Sequence, residues 1–147
     1  MKIHQLSLFL ENRPGQLRVP CQILGDAGLD ILTMSLADTQ QFGIMRVVVK
    51  DWARAKAVLE AAGQVVKVTE LLAIDVADHP GGLAQVLGAF EQAGLSIEYM
   101  YASGVGVHGR TAALLFRVED PDGAARKLAA AGIPLVSAEE LFRRLEA

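Results

Sequence analysis

Along residues 2–10 apolar side chains fall at every second position, Leu6, Leu8 and Leu10 among them, which predicts a half-buried strand. The alternation stops at Asn12-Arg13-Pro14-Gly15, after which Leu17, Cys21 and Leu24 recur at helical spacing. A helix is expected near 15–27, with Gly28 as its C-terminal cap. A strand over 29–38, a turn through Gln40-Gln41-Phe42-Gly43 and a strand over 44–49 rich in β-branched residues come next. Trp52, Ala55, Leu59 and Ala62 line one face of a second helix that ends at Gly63, and Val65, Val66 and Val68 make a last strand.

The pattern then repeats. Setting Pro14-Gly15 on Pro80-Gly81, an offset of 66, aligns Leu6, Leu8 and Leu10 with Leu72, Ile74 and Val76, and Leu17 with Leu83. Ala27-Gly28-Leu29 meets Ala93-Gly94-Leu95, and Ile31 and Met34 meet Ile97 and Met100. Nine of the 31 positions from 6–36 are identical to their partners in 72–102. Further on, Asp51, Leu59 and Gly63 match Asp120, Leu128 and Gly132 at an offset of 69, so the second copy carries three extra residues, placed at a hairpin tip. The chain reads as two domains, 1–68 and 69–147.

In the second copy Leu83, Val86, Leu87 and Phe90 form one apolar stripe, and Asp120-Pro121 is an N-cap followed by proline at the first helical position. Ser137-Ala138-Glu139-Glu140 is a capping box that predicts a short terminal helix. Each copy thus has the order β-α-β-β-α-β. That is the ferredoxin-like α+β motif, a four-stranded antiparallel sheet with two helices on one face. Phe9, Val48, Tyr99 and Tyr101 fall out of phase with the helix-facing positions. The helix-free face or the sheet edge should therefore be covered, by the sister unit or by a second chain.

Composition agrees with that expectation. The chain is 52% hydrophobic with mean hydropathy +0.31, yet no apolar run approaches the roughly 20 residues that span a bilayer. The surplus belongs in cores and interfaces, and a homodimer is expected. Net charge is −3 with no basic cluster, which argues against nucleic acid as a ligand. The first residues hold too short an apolar stretch for a signal peptide, and the single cysteine, Cys21, excludes an internal disulfide. The chain reads as cytoplasmic, without membrane attachment.

Catalytic and metal chemistry find little footing. Gly104-Val105-Gly106-Val107-His108-Gly109 has the letters of a dinucleotide loop, but Thr111–Val118 after it is a strand where a helix is required. It reads as a hairpin tip. Cys21 sits on a helical stripe as an inert thiol, and His4, His79 and His108 have no paired spacing. Asp75 and Glu98 are acidic strand residues at non-equivalent positions, read as solvated. No catalytic residue, metal or cofactor is assigned.

There remains the repeated junction, Asn12-Arg13-Pro14-Gly15-Gln16-Leu17 and Asp78-His79-Pro80-Gly81-Gly82-Leu83. On residue chemistry alone it is a turn or a site: Asn and Asp cap helices and Pro-Gly turns the chain, and a helix start also offers N–H groups to an anion. An acidic or amide residue, any residue, Pro-Gly, a short gap and Leu, followed by Ala-Gly-Leu-x-Ile, resembles the pattern of ACT domains. These are small ligand-sensing modules of amino-acid metabolism. Both copies carry it, as in small stand-alone proteins made of two ACT domains.

The resemblance implies a non-catalytic regulatory protein that binds a free amino acid or similar metabolite at an interface between domains. It assigns the two loops just quoted to the ligand, with Asp30 and Ile31, and Ser96 and Ile97, as second-strand positions completing the pocket. Helix-start N–H groups would take the carboxylate, Asn12 or Asp78 the ammonium group, and Gly15 and Gly81 would let the ligand approach the backbone. The copies depart from the pattern unequally. Asn12 replaces the usual Asp, and Pro20 stands inside the first helix where the second copy has Val86. The first helix should begin late or bend, and the first loop should bind more weakly. Two rivals stand beside this reading: a ligand-free interaction subunit of a metabolic enzyme, and a small acylphosphatase-like enzyme.

Overall fold

The structure is a computed structural model, described here for residues 2–39, 41–105 and 111–146. The chain divides into two units, one spanning His4–Thr69 and one built from Glu70 onward together with Lys2 and Ile3.

The first unit contains β1 (Ile3–Glu11), α1 (Arg18–Asp26), β2 (Thr33–Thr39), β3 (Phe42–Val48), α2 (Trp52–Ala61) and the start of β4 (Val66–Ala77). β3 pairs antiparallel with β1 on one side and with β2 on the other, so Leu8, Met45 and Leu36 lie in one row across the sheet. The alternation of β1 turns Leu6, Leu8 and Leu10 toward the helices, where they are buried with Met45, Val47, Leu24, Ala55 and Leu59. Asp51 caps α2 by accepting from Arg54 N at 3.2 Å. The ring of His4 stacks on Trp52 with centroids 4.4 Å apart.

Pro20 explains where α1 begins. The helix starts at Arg18 rather than 15, which puts Pro20 in the first turn, where a backbone N–H has no intrahelical acceptor. In the second unit α3 (Gly82–Gln92) starts two residues earlier in the repeat frame, Gly82 corresponding to Gln16.

The second unit continues with β5 (Tyr99–Val105), β6 (Thr111–Arg117), α4 (Pro121–Ala130), β7 (Leu135–Val136) and α5 (Ala138–Glu146). β6 pairs with β5 and with β4, and β7 adds to the other side of β4. Its helix-side core joins Leu72, Ile74, Val76, Val86, Phe90, Phe116 and Leu128, with the rings of Phe90 and Phe116 stacked 5.0 Å apart. Asp120 caps α4 through Gly123 N at 3.1 Å. Ser137 caps α5 through Glu140 N at 3.2 Å. Both expected caps are present. Two residues separate β2 from β3 and five separate β5 from β6, which places the three extra residues there. The expected hairpin tip itself, with His108, lies outside the described residues.

The helix-free face of the second unit is covered by an element that the hydrophobic pattern did not single out. Asp75 alternates with the core residues Ile74 and Val76 and so points to the opposite face. There the Arg144 guanidinium of α5 holds both its carboxylate oxygens, at 2.7 and 3.2 Å, and Leu141 is 1% exposed. The cover on this unit is thus its own terminal helix, and Asp75 is an ion-pair partner rather than a solvated acid. Glu98 pairs with a different arginine, Arg117, at 3.2 Å, so the two acids form no carboxylate pair. In the first unit, Phe9 and Phe42 on the corresponding face are 53% and 52% exposed.

α5 is also held by Glu140, whose carboxyl is pulled down to about 2 by hydrogen bonds from Arg143 and then Arg144. A depressed acid supports the fold above its ordinary value of about 4.3 and loses that support as pH falls toward 2. Amide protection factors across Ala138–Glu146, taken relative to the intrinsic exchange rate at each pH, should therefore be constant from pH 7 to 5 and fall below about pH 4. Asp75→Ala, which leaves a half-buried guanidinium without its fork, should cost about 1–2 kcal/mol by denaturant unfolding, whereas Glu98→Ala should cost less than about 1 kcal/mol.

Candidate functional site

The two Pro-Gly loops share one backbone skeleton. In the first, Arg13 N donates to Glu11 O at 2.9 Å and Gln16 N to Arg13 O at 3.2 Å. In the second, His79 N donates to Ala77 O and Gly82 N to His79 O, both at 3.0 Å. Gly15 and Gly81 each have φ +88°, a left-handed conformation that costs an L side chain roughly 1–2 kcal/mol. The glycine at this turn is required by the backbone before any ligand is considered.

The loops part at the next residue. A Cβ on Gly82 would lie 2.0 Å from the carbonyl oxygen of Ala77 and 2.9 Å from its carbon, so α3 begins pressed against the end of β4. Gln16 has a Cβ at the matching position, and α1 cannot seat in that way. A second difference lies across the sheet. Leu10 faces Gly43 in register, whereas its counterpart Val76 faces Ala112. The first unit lacks a methyl group where the second has one.

A cavity of about 190 Å³ lies beside these two features in the first unit. Leu10, Leu17, Leu36, Ala37 and Gly43 give it apolar walls, and Glu11, Asn12 and Arg13 give it polar ones. Glu11 and Arg13 form an ion pair with each other, their side chains 53% and 66% exposed. Asn12 N is tied to Gln41 O at 3.0 Å, which fixes the loop against the β2–β3 turn. Leu17 at the helix start and Leu36 on β2 are 37% and 52% exposed.

Of the residues the sequence assigns to the first loop, Asn12, Arg13 and Leu17 line this cavity. Pro14 and Gly15 are exposed in the turn and Gln16 is half-buried. Asp30 and Ile31 do not line it. They precede β2, which begins at Thr33, and Ile31 packs on the core. Ser96 and Ile97 likewise precede β5, with Ser96 exposed and Ile97 packed on the second core. In the second loop Asp78, His79, Pro80 and Gly81 are exposed, Gly82 is buried and Leu83 is 38% exposed. His79 Nδ1 lies 2.9 Å from Pro80 O.

Sequence reasoning missed Leu10, Glu11, Leu36, Ala37 and Gly43. Gly43 had a signal available, since the offset of 69 sets it on Ala112.

The remaining candidates are structural. Cys21 is half-buried against the first core. Among the described residues no group of three His, Cys, Asp or Glu side chains could hold a metal ion, and no helix is long and apolar enough to cross a membrane.

Two β-α-β-β-α-β units with helices on one face define a pair of ferredoxin-like domains. The family model for an ACT domain pair matches residues 1–144, and the chain belongs to that family. Protein BT0572 from Bacteroides thetaiotaomicron has a similar structure, with TM-score 0.87 and 30% identity over 97% of this chain and 96% of that one. The ligand-free regulatory subunit of aspartate kinase from Thermus thermophilus is similar in fold at TM-score 0.62 and 18% identity, over 89% and 93% of the two chains. The aspartate kinase of Synechocystis, at TM-score 0.59 and 22% identity, shares the fold over 92% of this chain and 26% of its own. No curated protein matches the chain.

The contrast between the loops is measurable. Gly82→Ala must displace backbone and should destabilise the protein by about 1–3 kcal/mol. Gly25→Ala, in the exposed last turn of α1 with open space around it, should instead stabilise by up to about 0.5 kcal/mol. Thermal or urea unfolding of the two variants checks both signs.

Proposed function

We propose that the protein is a non-catalytic regulatory ACT-domain pair, one domain in residues 1–68 and one in 69–147, that binds a free amino acid at its Pro-Gly loops. The observation that carries this reading is the cavity between Leu17 and Leu36, which opens at the loop that the sequence pattern assigns to the ligand. The family and the fold shared with a regulatory subunit of aspartate kinase support a regulatory, ligand-binding role.

The chemistry suits that ligand. The first turn of α1 presents N–H groups and the positive end of a helix dipole to a carboxylate. The Asn12 side chain and the Glu11 carboxylate are acceptors for an ammonium group. β2 is the outer strand of the first sheet, and Met34 and Leu36 along it are 40% and 52% exposed. In this reading a second copy pairs there, giving a cytoplasmic homodimer whose occupancy is passed to an enzyme of amino-acid metabolism.

Exposed Phe9 and Phe42 favour a second reading, in which the chain is an interaction subunit with no small ligand. Thermal shift against the free amino acids separates the two. A true ligand at 100 times its Kd should add about 2.7 kcal/mol and raise Tm by several degrees. An unchanged Tm with every amino acid would reject the first reading and leave the second.

A further inference from the structure

We infer that α5 is a releasable cover. It leaves the helix-free face of the second unit as one piece while the sheet beneath stays folded, and its departure uncovers an apolar surface. The inference concerns the second unit alone and stands apart from the ligand proposed for the loops.

Much of the charge on α5 is satisfied within the helix. Glu140 accepts from Arg143 at 2.7 and 2.8 Å and from Arg144 at 2.8 Å. The helix is tied to the sheet by the fork of Arg144 on Asp75, both partly exposed, and by the burial of Leu141. Ala138, Phe142 and Leu145 are half-buried. An ion pair that water reaches contributes little net stability and is weakened by salt. A helix of nine residues is also marginal by itself, so α5 is ordered only while it is docked. Ahead of it β7 pairs with β4 through two residues, Leu135 with Ile74 and Val136 with Ala73.

The sheet underneath is held by other means. β4 and β6 pair at six consecutive positions, from Leu72 with Phe116 to Ala77 with Thr111. Their opposite face carries the core of Ile74, Phe90, Phe116 and Leu128. The first unit is an internal control. It keeps the pairing of β1, β3 and β2 while Phe9, at the position of Asp75, stays exposed.

Release has a defined consequence. Asp75 faces Ala113 in register, and Ala73 faces Leu115 one pair along on the same side of the sheet. Ala73, Ala113 and Leu115 are all buried. Without α5 this side presents apolar surface around the Asp75 carboxylate.

Hydrogen exchange of the full chain at pH 7 tests this. Amides of Leu141–Glu146 should be at least about 100-fold less protected than the paired amides of β4 and β6. Arg144→Glu sets a like charge against Asp75 and should lower α5 protection by a further factor of about ten, leaving β4 and β6 unchanged. The same variant should bind the apolar dye ANS, which reports uncovered hydrophobic surface. Adding Asp75→Arg restores an opposite pair and should return protection and dye binding to the wild-type level. Equal protection of helix and sheet would overturn the inference, since α5 would then open only with the whole unit. So would an Arg144→Glu chain whose helix and sheet lose protection together, or one whose helix is released without dye binding. A loss that the charge swap leaves unrepaired would likewise overturn it, because the fork would not be what holds the cover.

Discussion

A single choice between hydrogen and a side chain, at the residue after a left-handed glycine, decides how each helix meets its sheet. Both loops turn on a glycine at φ +88°, so their backbones enter the helix in the same way. The next residue is Gly82 in one and Gln16 in the other. The first allows the helix to close onto the carbonyl of Ala77, with no room for a Cβ. The second forbids that approach. Pro20 then places the first helical residue at Arg18, where the proline lacks nothing that the helix needs. Together with Gly43 opposite Leu10, these choices lie beside the cavity of the first unit.

The same frame shows how a sheet face is closed without a partner. In the second unit α5 lies over the helix-free face, fixed by the fork of Arg144 on Asp75 and by buried Leu141. At the position of Asp75 the first unit carries Phe9, which is 53% exposed. A charge that answers a charged helix has its counterpart in an apolar ring that answers apolar surface. The two faces therefore differ in chemistry, one closed by a helix of its own unit and one presenting an exposed aromatic ring.

Much of the architecture was legible because it rests on periodicity, which is local. Alternation in β1, the stripes of α2 and α3, the caps at Asp120 and Ser137 and the offset of 66 each arise from backbone geometry within a few residues. The late start of α1 was legible too, from Pro20 alone. The cavity was not, because its walls come from β1, β2, β3 and the start of α1, and only register brings Leu10 and Gly43 face to face. The second-strand residues lie outside the cavity for a related reason. Asp30 and Ile31 come after a helix cap in the sequence, but the strand begins where pairing with β3 begins, at Thr33 opposite Val48.

The first loop had the poorer motif, with Asn12 and Pro20 out of pattern, and this pointed to the weaker site. Cavity formation obeys another logic. A loop that matches its pattern closely, glycine after glycine, lets the helix close tightly onto the strand. In the first unit the helix starts two residues later, and Leu17 just ahead of it lines the cavity together with Leu36. A ligand seated there would touch the helix start, the outer strand and the loop together. It would thus favour the one arrangement of those three elements that it fits, and differential affinity of this kind is the only means by which occupancy shifts a conformational equilibrium. The less regular loop, with a cavity beside it, is in this way placed to report a ligand to a neighbour.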